Sequence, residues 1–376
     1  MQRGDTTMES ILYVGMDVHK DTYSVCTYDS KSDKYIYEHK MKACSKNVIK
    51  YLETIKEKMG DVLFICGYEA GPTGFGLYRD LQKEGIACVV MAPTSLKRAC
   101  GKKVKNDKVD AKQLAKTLFV KDYSSVHVSS KKEESIKEFC RMRASKKKAV
   151  KTAKQELLSF LLRQGKVYEG TYWTKKHRDW LKGLTFEEEY MQEAFNEYLV
   201  ALNTLELKLQ ETERRLEEIA DDSTVRSNVC KLKCICGIDT LTAVSIVTEV
   251  GDFDRFGRAW DFTNYVGLTI GESSSGGHEK KLGITKSGNR YLRRLLTESA
   301  KSIKRSNCRG EKSKRLLERQ QGQDARVIAY ADKCKARLKS KIKRLEMRGK
   351  ACNVASTAAA RELACFVWGM MTGNID

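Results

Sequence analysis

Proline is almost missing from this sequence. Of 376 residues only Pro72 and Pro93 are proline, and both stand where strand-like segments end. Long hydrophobic runs are missing as well. The longest, such as Leu363–Met371, are too short to span a bilayer, which excludes a transmembrane helix. No basic run followed by an apolar core opens the chain, so a secretory signal is not expected and a cytoplasmic location is. No tandem repeat is evident, which excludes a solenoid or a propeller. The 13 cysteines lack the grouping of a disulfide or zinc framework. Cys26, Cys66 and Cys88 sit singly in strand-like segments, as reduced thiols would. Cys230, Cys234 and Cys236 form the one cluster, without a clear fourth ligand nearby. Burial as small apolar side chains is expected of them.

Acidic residues are in short supply relative to basic ones. Lys and Arg number 70 against 49 Asp and Glu, a net charge of +21 that draws polyanions over long range. Residues 301–350 alone hold 18 basic and 5 acidic side chains. Basic runs recur at Lys97–Lys108, Arg141–Lys154 and Lys333–Lys350. A single basic helix would suit an acidic membrane surface equally well. Recurrence along the chain favours nucleic acid. Apolar residues make up 41%, enough for ordinary cores, and the length suits two domains with a connecting element.

Strand signals open the chain at Ile11–Val18, Thr22–Tyr28 and Lys34–His39. Ser45–Met59 is helical in period, with Val48, Ile49, Leu52 and Ile55 apolar. Asp61–Cys66 is a buried-type strand, Gly74–Gly85 a helix and Ile86–Ala92 another strand. Such an order predicts an α/β domain, a mixed sheet covered by helices, over 10–125. Heptad-like spacing follows at Val150, Ala153, Leu157, Phe160 and again at Leu202, Leu205, Leu209, Thr212, Leu216, Ile219. Two long helices forming an antiparallel coiled-coil arm are expected over 130–222, with an aromatic, basic stretch between them at Tyr168–Leu184. A mainly α-helical domain is expected over 228–372. It would contain a Gly- and Ser-rich loop at Gly267–Gly283 and close on an apolar helix at Ala358–Met371.

Four acids stand out by position. Asp17 ends the first strand, Glu69 lies just past the fourth, and Asp107 and Asp110 are three apart, so on a helix they share a face. Strand ends gather carboxylates at one sheet edge, and a helix crossing that edge adds more. Crowded carboxylates need cations, and hard oxygen donors favour Mg²⁺, with Mn²⁺ as a substitute. Two such ions can clamp the attacking and leaving oxygens of a phosphodiester. Lys102, Lys103, Lys105 and Lys108 flank the last pair and could hold phosphates. Any one of these acids alone reads more simply as a strand-end or helix-cap residue, and Asp107 as an N-cap. All four in this order favour function. His19, two beyond Asp17, would share its strand face.

The second constellation runs from Gly267 through Ser273-Ser274-Ser275-Gly276-Gly277 to Gly283-Ile-Thr-Lys-Ser-Gly-Asn289. Gly and Ser make a loop whose amides could approach a phosphate, followed by a helix with Arg290, Arg293 and Arg294 in its early turns. Together with Lys286 these are candidate nucleic-acid contacts. A serine hydroxyl in such surroundings can attack phosphorus if its proton is removed, although serines before glycines are more often a solvated loop. Upstream, Cys236-Gly-Ile-Asp-Thr-Leu-Thr-Ala-Val is similar to a helix-hairpin-helix, with Asp239 where a second glycine is usual; there its role would be mainly structural.

Gly-Met-Asp17-Val-His-Lys, Tyr-Glu69-Ala-Gly-Pro-Thr-Gly and Asn-Asp107-Lys-Val-Asp110-Ala resemble the DEDD transposases of the insertion sequence 110 family. The resemblance spans Leu12 to about Met371. It implies a RuvC-like, RNase H-like N-terminal domain in which Asp17, Glu69, Asp107 and Asp110 bind metal. It also implies a C-terminal transposase domain whose serine before a glycine becomes linked to DNA. Ser275 is the best match and Ser274 the alternative, since alignment can slip within a serine run. Where the family often has proline, this chain has Ile270. The resemblance further implies DNA as substrate, a dimer or tetramer, guidance by a noncoding bridge RNA, and a nucleoid-associated location. The alternative function is a RuvC-like junction resolvase using activated water, with Ser275 dispensable. A third reading is a nucleic-acid-binding protein on an inactive nuclease fold, which the intact tetrad disfavours.

Overall fold

The computed structural model describes residues 10–93, 107–275, 278–306 and 312–375, without the side chains of 107–108, 273–275 and 278–281. The chain divides into two compact units between Val128 and Ser129.

The first unit is built on one five-stranded sheet. Strands β1 (Ser10–Val18), β2 (Thr22–Asp29) and β3 (Lys34–Lys42) form an antiparallel meander. Helix α1 (Ser45–Met59) leads to β4 (Val62–Glu69), and α2 (Gly76–Lys83) leads to β5 (Ala87–Met91). The order is β3-β2-β1-β4-β5, with β4 parallel to both β1 and β5. Three antiparallel strands followed by two parallel ones, covered by helices, agree with an RNase H-like domain. Glu69 is the last residue of β4 and lies within it, not just past it. The strand runs on to Glu69 because Tyr68 and Glu69 still pair with Val90 and Met91.

The two faces of β1 have different fates, as strand alternation requires. Leu12, Val14 and Met16 are fully buried, and Val14 and Met16 pack with Val48 and Leu52 of α1 and Leu77 and Leu81 of α2. On the other face helix α3 (Asp107–Val120) lies across the sheet. Its buried stripe is Ala111, Leu114, Ala115 and Leu118, a helical i, i+3, i+4, i+7 set. Leu114, Ala115 and Leu118 meet Tyr13, Tyr28 and Met91.

Among its described residues the second unit is helical apart from one hairpin. Ser130 opens α4 (Lys131–Arg163) with a capping box closed by Glu133. After α5 (Lys175–Lys182) comes α6 (Glu189–Ile219). Arg143 bonds Glu213, Lys146 reaches Thr212 at 2.7 Å, and Lys154 reaches Glu206 at 2.7 Å. As numbers rise along α4 they fall along α6, so the two helices are antiparallel. Between them Leu157, Phe160, Leu161, Phe195 and Leu202 form a core of their own. At the other end Ile136, Cys140, Leu216 and Ala220 join the large C-terminal core.

That core surrounds α7 (Arg226–Leu232), α8 (Thr240–Val250) and α9 (Ala259–Val266), then α10 (Arg290–Arg305), α11 (Lys314–Gln320), α12 (Ala325–Met347) and α13 (Cys352–Thr372). Cys234 and Cys334 are buried within it, and burial pushes the Cys234 thiol up to about 11. Helix α13, which contains the apolar segment 358–371, contributes Ala355, Ala359, Ala360, Leu363, Ala364, Phe366, Val367 and Met370 to it. Among the described residues no helix is long and apolar enough to cross a membrane.

One expectation is corrected here. The Gly- and Ser-rich stretch is not a loop but an antiparallel hairpin, β6 (Ile270–Ser275) and β7 (His278–Ile284). Among the described side chains of its strands, Ile270, Glu272 and Leu282 are exposed, so no buried alternation is seen there. Pairing is set instead at the base, where Thr285 N donates to Thr269 O at 2.9 Å and Lys286 N to Gly267 O at 3.1 Å. Once the base is tied, ladder bonds follow at little further entropy cost.

Candidate active site

Two glycines decide where the acids go. In the parallel pair β1–β4, Gly15 stands opposite Gly67. Each is followed two residues on by an acid, Asp17 and Glu69, which a strand's period of two puts on the same face. The register therefore sets these carboxylates side by side at the C-terminal ends of neighbouring strands. That face is the one α3 covers. A Cβ on Gly15 would lie 2.2 Å from Ala111 O and 2.3 Å from Ala115 N, and one on Gly67 would lie 2.7 Å from a Leu118 methyl. Backbone rests on backbone at Gly15.

The direction of α3 follows from its contacts. Near its C-terminal end, Phe119 packs on Tyr13 with ring centroids 5.4 Å apart, while Ala111 sits over Gly15. Running back along α3 thus runs forward along β1. The first turn, with Asp107 and Asp110, comes to the end of β1 that carries Asp17. All four sequence-predicted acids are brought to one end of one sheet face by their backbones.

Asp17 is largely buried, with 19% of its side chain exposed, and its Oδ2 accepts a hydrogen bond from His19 Nε2 at 3.1 Å. Glu69 is exposed and Asp110 half-buried. Directly across from Asp17 in β2 stands Ser24, 3% exposed, whose hydroxyl has no hydrogen-bond partner. Among the described residues no three His, Cys, Asp or Glu side chains converge on one metal position, and the Asp107 side chain is not among those described. The donor chemistry itself suits a hard divalent cation, because carboxylates supply oxygen ligands and the charge to neutralise it. Lys102, Lys103 and Lys105 lie outside the described residues. Lys108 is in the first turn of α3 by its backbone.

The serine hairpin is held by a second close approach. Ser275 is paired with His278 and Ser274 with Glu279, so Ser275 is the last paired residue of β6. Gly267 ends α9 in the left-handed region at φ 73°, and Gly288 lies at φ 102°. A Cβ on Gly267 would strike Ser287 O at 2.1 Å, and one on Gly288 would strike Tyr265 O at 2.2 Å. Both positions need glycine for conformation and for space. Between them Lys286 is exposed at φ 56°.

Asn289 then caps α10. Its side chain accepts from Leu292 N at 3.0 Å and donates to Glu249 Oε1 at 2.8 Å. Glu249, 3% exposed, also receives two bonds from Arg141, at 2.8 and 3.2 Å. This buried carboxylate links α4 and α10, and sequence reasoning missed it. The only available signal is a lone acid inside the continuous buried run Ala243–Val250 of α8. Asn289→Ala removes the cap and leaves Glu249 with one donor fewer. A loss of at least about 1 kcal/mol is expected, read as a lower urea midpoint with unchanged slope.

The three arginines of α10 differ. Arg290 and Arg294 are exposed, with Arg294 over the Tyr291 ring at 5.3 Å. Arg293 is half-buried and donates to Val266 O at 2.8 Å, and its burial pushes its pKa down. Arg293 therefore serves the α9 terminus, leaving Arg290, Arg294 and Lys286 open to an anion. In the hairpin-like segment upstream, Asp239 accepts from Thr242 N at 2.7 Å and caps α8, a structural task.

A sequence model described as the transposase IS116/IS110/IS902 family matches residues 230–315, and a second, described as a transposase, matches residues 14–164. The chain is 33% identical over 360 residues to a putative transposase of Sinorhizobium fredii, covering 95% of this chain and 88% of the relative. It is 32% identical over 355 residues to the transposase for insertion sequence element IS1533 of Leptospira borgpetersenii, covering 91% and 99%. The transposase for element IS1111A of Coxiella burnetii is 26% identical over 339 residues, covering 87% and 88%.

Proposed function

The chain belongs to the IS116/IS110/IS902 family of transposases, and from that premise we propose that it cuts and rejoins DNA with its four acids and one serine. The reading is carried by α3 resting on Gly15, which sets Asp107 and Asp110 beside the strand ends of Asp17 and Glu69. These four carboxylates would hold Mg²⁺ or Mn²⁺. Bound there, such ions would neutralise charge on the attacking and leaving oxygens of a phosphodiester.

Ser275 is the nucleophile in this reading. Its hydroxyl gives up a proton, its oxygen bonds to phosphorus, and the 3′-oxygen leaves and is protonated. The DNA stays joined to the protein through a phosphoserine. A 3′-hydroxyl attacking that phosphorus reverses the step and restores the serine, so no bond energy is lost. Its place as the last paired residue of β6, in the unit that also exposes Lys286, Arg290 and Arg294, supports this role.

A dimer or tetramer, with the antiparallel α4–α6 pair acting as a coiled-coil arm, would let the acids of one protomer serve the serine of another. The net charge of +21 suits binding of both DNA and a noncoding bridge RNA, and a nucleoid-associated location. Labelled junction DNA with Mg²⁺ and RNA transcribed from the element's flank tests the serine on denaturing gels. A covalent protein–DNA band is expected from wild type and none from Ser275→Ala, with Ser274→Ala retaining it. Cleavage without a covalent band, undiminished in Ser275→Ala, would instead favour a nuclease that uses water.

A further inference from the structure

The far end of the α4–α6 pair carries an aromatic recess that neither the acids nor the serine uses. It is lined by Leu158 and Leu162 of α4 and by Lys166, Tyr168, Tyr172 and Trp180. Its tyrosines are not part of the core between the helices, against which Trp173 and Trp180 pack together with Phe186 and Tyr198. Tyr172 is 41% exposed and Leu162 67%. Behind them His177 is fully buried. Its Nδ1 accepts from Trp173 N at 3.1 Å, and its ring meets Tyr168, Tyr172 and Trp180 at 4.9, 5.1 and 5.7 Å. The neutral imidazole acts as a wedge that fixes these rings in place, and burial holds its pKa down.

The surroundings are cationic. Residues 159–184 hold six Lys or Arg against two acids. Along α4, Lys147, Lys151, Leu158 and Leu162 follow each other at spacings of four, seven and four, which places them on one face of the helix. Lys147, Lys148 and Lys151 are exposed and without an ion pair among the described residues. Two free cations, Lys147 and Lys151, therefore stand one turn apart on the helix face that runs on to Leu158 and Leu162 at the recess, where Lys166 adds a third charge.

We propose that this recess takes an unpaired nucleobase of a nucleic-acid strand whose phosphates follow the α4 cations. Flat rings offer a stacking platform to any base, and the cations track the backbone without reading sequence. A second copy of this chain would bring like charge to the same surface. The inference rests on the reading of the chain as a nucleic-acid enzyme and is independent of the acids and Ser275.

The test is a titration of full-length protein with oligonucleotides carrying 2-aminopurine, as single-stranded RNA, single-stranded DNA and duplex DNA. Tyr172→Ala should weaken single-strand binding about 10-fold, keep duplex affinity within about twofold, and lose the 2-aminopurine quench. Tyr172→Phe, which keeps the ring, should bind as wild type does. Lys166→Glu should lower the salt dependence of single-strand binding by about one ion. The strand type that loses more identifies the source as RNA or DNA. Unchanged single-strand affinity in Tyr172→Ala, or an equal loss on duplex, overturns the proposal while leaving the transposase reading intact. Wild type that binds no nucleic acid would overturn both.

Discussion

Asp17→Asn should reduce strand cleavage by on the order of 10³-fold and leave DNA affinity within about twofold. Asn has the same shape as Asp and fits the same place on β1, so the sheet is not disturbed. The substitution removes a negative charge from a carboxylate cluster and, with it, an oxygen ligand of full charge. Binding is carried by surfaces elsewhere, since the net charge of +21 lies mostly outside the first unit's strands. Gel shifts and cleavage assays on the same preparation separate the two effects. Loss of binding together with cleavage would remove Asp17 from the chemistry.

Gly15→Val should abolish cleavage by a different route. The new Cβ would fall 2.2 Å from Ala111 O and 2.3 Å from Ala115 N, both backbone atoms of α3 that no rotamer change can move. Helix α3 must lift from the sheet. That opens the packing of Leu114, Ala115 and Leu118 on Tyr13 and Tyr28, at about 3 kcal/mol or more. It also carries Asp107 and Asp110 away from Asp17 and Glu69. Cleavage should fall to background while the C-terminal helical unit remains folded, visible as a retained thermal transition and retained helical circular dichroism. Gly76→Ala is the control. It lies in α2 with nothing within 4 Å of its would-be Cβ, so it should be neutral or slightly stabilising. Full cleavage by Gly15→Val would mean that α3 need not rest on β1.

The acids themselves are legible in the sequence because apolar strand runs end on them and two lie three apart. The strand and helix order is legible for the same reason: Val48, Leu52 and Ile55 keep a helical period, and Pro72 and Pro93 follow within three residues of the ends of β4 and β5. What brings the acids together is harder to see. Gly15-Met-Asp17 and Gly67-Tyr-Glu69 repeat one pattern on two strands that are adjacent only after folding. A glycine within a strand signals close approach of another backbone, but not which backbone approaches. The hairpin of β6 and β7 is hidden because its pairing is set by Gly267 and Gly288 at its base, not by alternation along its strands. Glu249 is hidden because its partners, Arg141 and Asn289, lie more than a hundred residues before it and forty after. Arg293 looks like its neighbours in sequence, and only the Val266 carbonyl sets it apart.

Replacing Mg²⁺ by Fe²⁺ and generating hydroxyl radicals with ascorbate and peroxide would cut the protein chain next to a bound metal. If the four acids share one metal site, cuts should cluster around Asp17, Glu69 and the Asp107–Asp110 turn, fade with excess Mg²⁺, and vanish in Asp17→Asn. Cuts scattered along the chain, or concentrated elsewhere and indifferent to Asp17→Asn, would contradict a metal centre on this sheet face.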